Sequence, residues 1–270
     1  MFHRRAAVAL LGASLVFAQG TPTEIDRPLQ LPALIVGDVK MAWNAPASWT
    51  QKEWGELSLG ALAVAGVSMA LDRPVDQGFQ RTDRTRFDPW AKRLDTLGGE
   101  GTVIIAGGAY LTGLLADLPK VRAFGSDAAL SMLVAQVLVA LPVKFLVGRS
   151  RPYDEDGPYH FKPLHGGLSF PSGHAVQAFT LATVISEYGD SPWISGAAYG
   201  GAALVGLARL EQRAHFVSDV VAGALVGTLS AKAVMRRHHT LREGVNNHLA
   251  VSIAPVWNGG SAGMSVSVKF

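Results

Sequence analysis

The stretch Phe170-Pro171-Ser172-Gly173-His174 decides how this chain is read. A proline and a glycine interrupt the backbone just ahead of an apolar run from Ala175 to Ile185, so a helix is expected to begin here. Ser172 is its N-cap candidate, because a hydroxyl oxygen can accept from the first-turn amides. Gly173 has no side chain to keep a ligand away from its N–H. Free amides and the positive end of the helix dipole make such a terminus attractive to anions. His174, in the first turn, can carry a proton near neutral pH.

Two flanking segments extend the pattern. Upstream runs Lys144-Phe-Leu-Val-Gly-Arg-Ser-Arg151-Pro152. Lys144 and Arg151 are separated by close to two helical turns, which predicts one shared helix face. Pro152 disfavours helical geometry at the residue before it, so the helix is expected to end at Arg151, whose guanidinium is then free to fork onto two oxygens. Arg149 competes for that role and is expected to face solvent or lipid head groups. Downstream runs Arg209-Leu-Glu-Gln-Arg-Ala-His215-Phe-Val-Ser-Asp219. His215 and Asp219 are four apart and are expected on one helical face, where the carboxylate would orient the imidazole. His160, His165, His238, His239 and His248 have no comparable context and are expected to be solvated; Arg213, two residues before His215, is a candidate for substrate recognition but is expected on a solvated face. Three cations, a helix N-terminus, two histidines and an aspartate read together as phosphoryl-transfer chemistry.

In order and spacing the three segments resemble the signature of the type 2 phosphatidic acid phosphatase superfamily, which includes bacterial class A acid phosphatases and vanadium haloperoxidases. That signature is lysine, six residues, Arg-Pro; then Pro-Ser-Gly-His; then Ser-Arg, five residues, His, three residues, Asp. One position departs: Ala208 stands where the family usually has serine, a change expected to loosen a supporting contact. The resemblance implies that His215 is the nucleophile, forming a phosphohistidine, and that Asp219 orients it. His174 would serve as acid for the leaving group and then as base for water. Lys144, Arg151, Ser172, Gly173 and Arg209 would hold the phosphate oxygens. No metal and no cofactor are implied, although vanadate could occupy the phosphate site as an inhibitor. The implied fold is all-α, a six-helix bundle.

The rest of the chain fits that frame. Its 270 residues can bury one good-sized core, and charged residues are 17% of the total, below the roughly 25% of soluble domains. This favours a membrane-embedded or very apolar helical protein. With no cysteine, disulfides and thiol chemistry are excluded, and the absence of a basic stripe argues against nucleic acid. Residues 1–20 read as a signal peptide or N-terminal anchor. Residues 21–55, with four prolines, read as an extended lead-in. Residues 56–240 hold six apolar helical runs, the phosphatase domain. Small residues four apart, Gly196 and Gly200 as well as Gly223 and Gly227, are expected to let helices pack closely. Residues 241–270 alternate around Asn258-Gly259-Gly260 and read as a C-terminal β-hairpin. The resulting expectation is an exported, bilayer-spanning phosphatase of a phosphorylated lipid, its site facing the periplasm. The substrate would be phosphatidate, phosphatidylglycerol phosphate, undecaprenyl diphosphate or a lipid A phosphate. A broad-specificity periplasmic acid phosphatase and a vanadium-dependent haloperoxidase are the alternatives.

Overall fold

The structure is a computed structural model that describes residues 25–81, 88–189, 191–246, 250–258 and 261–269. The expected signal segment and His248 lie outside these residues. Seven continuous helices follow one another among the described residues: α1 (Leu31–Ser48), α2 (Gln51–Arg81), α3 (88–115), α4 (Pro119–Val147), α5 (Gly173–Tyr188), α6 (Pro192–Glu211) and α7 (Val217–Asn246). The count is seven where six were expected, because the supposed extended lead-in is itself helical. Its prolines were read as breakers. Pro32 instead occupies the first turn of α1, where a missing N–H costs nothing and the fixed φ suits a helix. Thr50 opens α2 with a capping box: its backbone N–H donates to Glu53 Oε2 at 2.7 Å, and its hydroxyl accepts from the Glu53 amide. That Thr-x-x-Glu signal is present in the sequence.

Three of the helices contain a π-turn, at Ser68–Asp72, Leu97–Gly101 and Val134–Ala140. The last immediately precedes Pro142, whose lack of an N–H must be absorbed by local rewinding. Helix α4 stops at Val147, where Gly148 takes the left-handed conformation at φ 58°, a common helix ending. Arg151 therefore lies beyond the helix and shares no helical face with Lys144, contrary to the spacing argument.

A core of Ala106, Ala128, Met132, Leu181, Val184 and Ala231 joins α3, α4, α5 and α7. Leu34 on α1 packs with Leu130, Val134 and Val234. Close approach of α7 to α5 depends on Gly223 and Gly227. A Cβ on either would come within 2.6 Å of the Ser172 or Val176 carbonyl oxygen. Gly196 and Gly200 were expected to act alike, but a Cβ there would meet nothing within 4 Å.

A second polar core lies far along α7. His238, expected to be solvated, is fully buried, with Nδ1 2.6 Å from Asp127 Oδ1 and Nε2 3.0 Å from Asp38 Oδ2. Arg237 donates to Asp38 and Tyr188 to Asp127. Buried charges persist only when paired in this way. The cluster fastens α1 to α4 and α7.

Among the described residues three helices are long and apolar enough to cross a membrane: Gln51–Arg81, Pro119–Val147 and Val217–Gly244. The apolar stretch of the first buries no residue within the chain. Leu59, Leu62, Ile104 and Leu115 point outward at 69% exposure or more, and large exposed apolar surfaces mark contact with lipid or another apolar partner. The chain beyond residue 249 belongs to a separate compact unit. There Ala250–Asn258 pairs antiparallel with Ser261–Lys269.

Candidate active site

The start of α5 is built as its sequence demands. Ser172 caps it, the hydroxyl accepting from the Ala175 amide at 3.4 Å. The first-turn amides of Gly173 and His174 have no intrahelical acceptor. The Ser172 amide donates to the Asp219 carbonyl oxygen at 2.9 Å, joining this turn to the start of α7. Lys144 is buried and donates through Nζ to the carbonyls of Leu168 and Pro171, which brings its charge beneath the same turn.

His215 precedes α7 rather than lying on it. The first turn of α7, not a shared helical face, brings it to Asp219. Its Nδ1 is 3.7 Å from Asp219 Oδ2 and 3.5 Å from Ser169 Oγ. Ser169 Oγ also donates to Asp219 Oδ2 at 2.5 Å, and the Phe216 amide donates to the same oxygen at 2.8 Å. With Nδ1 turned to this group, Nε2 is the nitrogen left for an electrophile. Burial pushes the His215 pKa down to about 4, against the pull of Asp219.

Asp219 Oδ1 is held by Arg149 Nη1 at 2.7 Å. Arg149 does not face solvent or lipid; it is one of the most buried residues of the chain. It also donates to Ser218 Oγ and to the Pro158 carbonyl, pairs with Asp72 at 2.7 Å, and stacks over Phe216. Asp72, on the π-turn of α2, accepts from the Ser218 amide and hydroxyl as well. Arg213 is likewise buried, pairing with Asp76 at 2.9 Å and donating to the Pro152 carbonyl. It too was expected to be solvated.

His174 and Arg209 meet at Asp95, on the first part of α3. Asp95 Oδ1 is 3.1 Å from His174 Nε2 and also contacts Arg209 Nη1. Gln212 Oε1 accepts from the same nitrogen of Arg209 at 2.6 Å, while Ala208 beside it is buried. Burial, Arg209, Arg151 and Lys144 hold the His174 pKa below its ordinary value, and Asp95 opposes them. The Arg151 guanidinium stacks on Tyr153 and has no ion-pair partner among the described residues. Among the described residues no group of three or more histidines and carboxylates is placed to hold a metal.

Lys144, Arg151, Ser172, Gly173, His174, Arg209, His215 and Asp219 are thus gathered at one end of α4, α5, α6 and α7. Sequence reasoning missed Asp72, Asp95 and Ser169. It considered Arg149 and placed it wrongly.

Residues 125–243, which carry this arrangement, match the model of the PAP2 superfamily. The match covers under half of the chain. Over 88 residues, 32% of this chain, it is 42% identical to a lipid A 1-phosphatase of Porphyromonas gingivalis. Over 120 residues, 44% of this chain, it is 32% identical to an undecaprenyl-diphosphatase of Sulfolobus acidocaldarius. The matched parts span 18% and 57% of those curated relatives. The crystal structure of Aquifex aeolicus LpxE aligns at a TM-score of 0.48 and 24% identity, over 61% of this chain and 94% of that one. The matched segment includes α5, α6 and most of α4 and α7. Asp72 and Asp95, which pair with Arg149, Arg209 and His174, lie before it.

Proposed function

We propose that this protein hydrolyses a phosphate monoester or diphosphate carried on a lipid, through a phosphohistidine at His215. The observation that carries the reading is the pair of histidines, each set against its own carboxylate, at the cation-rich start of α5. In the first half-reaction His215 Nε2 bonds to phosphorus, the P–O bond to the leaving group breaks, and His174 protonates the departing oxygen. In the second, water bonds to phosphorus, the N–P bond breaks, and His174 takes the water's proton. Arg151, Arg209, Lys144 and the amides of Gly173 and His174 stabilise the charge that develops on the equatorial oxygens. Asp219, fixed by Arg149 and Ser169, stabilises the His215 imidazole as it becomes cationic.

Three considerations support a lipid carrier. The relatives are named for lipid A and undecaprenyl substrates, three helices suit a bilayer, and the outward surface is apolar. The active-site end is assigned to the periplasmic face, consistent with the basic and apolar residues 1–20. The test is phosphate release by detergent-purified protein from phosphatidate, lipid A, undecaprenyl diphosphate and an aryl phosphate. Release from one lipid well above the aryl ester is expected. Release from the aryl ester alone would replace this reading with a broad-specificity phosphatase.

The pH dependence follows from the two histidines. His215 must be neutral to attack, and its depressed pKa keeps it so down to about 4. His174 must be protonated, and in the free enzyme its pKa lies below 6.5. Since kcat/KM reports groups of the free enzyme, its maximum is expected on the acid side, rising through about 4 and falling before 6.5. A kcat/KM that climbs steadily through neutral pH would contradict these assignments.

A further inference from the structure

We propose that Asp95 is the positioning residue of the leaving-group acid, holding His174 through Nε2 so that Nδ1 delivers the proton. This rests on the hydrolase reading above. Asp95 Oδ1 is 3.1 Å from His174 Nε2, and a carboxylate there keeps a proton on that nitrogen in both charge states of the ring. The proton that comes and goes is then on Nδ1. As imidazolium, His174 gives the Nδ1 proton to the departing oxygen as the P–O bond breaks; as neutral imidazole, it takes a proton from water at the same nitrogen.

The local build of α3 supports this role. Asp95 lies two residues before the π-turn Leu97–Gly101, and such turns recur at functional sites. Within it a Cβ on Gly98 would come within 2.2 Å of the Val205 side chain, and one on Gly99 within 2.8 Å of His174 Nε2 itself. Helix α3 is therefore seated directly on α6 and on the imidazole. The charged groups facing His174 are Arg209 from α6, Lys144 from α4, Arg151 from the loop after it and Asp95 from α3. Three of these oppose an imidazolium and only Asp95 favours it. Asp95 also contacts Arg209, so the carboxylate aligns a phosphate ligand and the proton donor together.

Leaving-group dependence tests the proposal. An aryl oxygen departs without a proton, whereas an alkyl or lipid oxygen needs one, and a positioned acid contributes ~10²–10⁴-fold. For Asp95→Asn, kcat on an alkyl or lipid phosphate is expected to fall about 10²-fold further than kcat on an aryl phosphate. The alkaline limb of kcat/KM for the alkyl ester should also move to lower pH. Asp95→Glu should recover part of the difference, and in a His174→Ala background Asp95→Asn should no longer change the alkyl-to-aryl ratio of kcat. Aryl phosphatase activity in each variant shows that it has folded. Equal losses on both esters, with the alkaline limb unmoved, would overturn the proposal. Wild-type protein that turns over neither ester would instead overturn the hydrolase reading.

Discussion

His215→Ala is expected to abolish phosphate release from every substrate, with kcat reduced at least ~10⁴-fold, as for other nucleophiles whose loss removes a covalent route. The cause is specific. Nε2 of this ring is the nitrogen left for phosphorus once Nδ1 faces Ser169 and Asp219. Single-turnover reaction of the wild type, followed by intact-protein mass spectrometry, should reveal a phosphoryl adduct that is lost in acid and stable in base. The variant should show none. Activity within about tenfold of wild type, which is only ~1.4 kcal/mol of barrier, would place the nucleophile elsewhere.

Arg149→Ala is expected to be the most damaging single change to stability. The side chain holds Asp72 and Asp219, both fully buried, and without it each carboxylate loses its main compensating charge. Breaking a buried pair by removing one partner costs about 3–5 kcal/mol, and two carboxylates depend on this guanidinium. A thermal unfolding midpoint lowered by several degrees, together with lost turnover, is the expected outcome. Arg149→Lys should rescue little, because a single ammonium cannot replace a planar fork reaching Asp72, Asp219 and the Pro158 carbonyl at once. An unshifted midpoint for Arg149→Ala would show that the carboxylates find other partners.

The sequence made the motifs legible and left their supports hidden. Ser172, Gly173 and His174 announce a helix start through local chemistry, and the structure begins α5 there. Lys144 and Arg151 were assigned to one helix because spacing alone was counted; Gly148, between them, carried the contrary signal. The asymmetry between Arg149 and Arg151 could not be read locally. One finds Asp72 and Asp219 in the interior, the other stacks on the Tyr153 ring with no ion-pair partner among the described residues, and both carboxylates that pair with Arg149 lie more than 65 residues away. The same holds for Asp95 with His174 and Arg209, and for His238 with Asp127 and Asp38. Long-range ion pairs leave no periodicity behind. Helix α1 was missed for a different reason: prolines at a helix entrance and near its exit look, residue by residue, like those of a loop.

Helix α7 is riveted at both ends. Ser218 and Asp219 are tied to Asp72 and Arg149 at one end, and His238 to Asp127 and Asp38 at the other. The rivets are nineteen residues apart, about 28 Å of helix and near the ~30 Å of a bilayer's hydrocarbon. Sliding α7 by one turn, ~5.4 Å, would unpair both charge clusters together. The helix therefore acts as a strut whose register is set at both ends, and a single substitution at either cluster leaves the other to hold it.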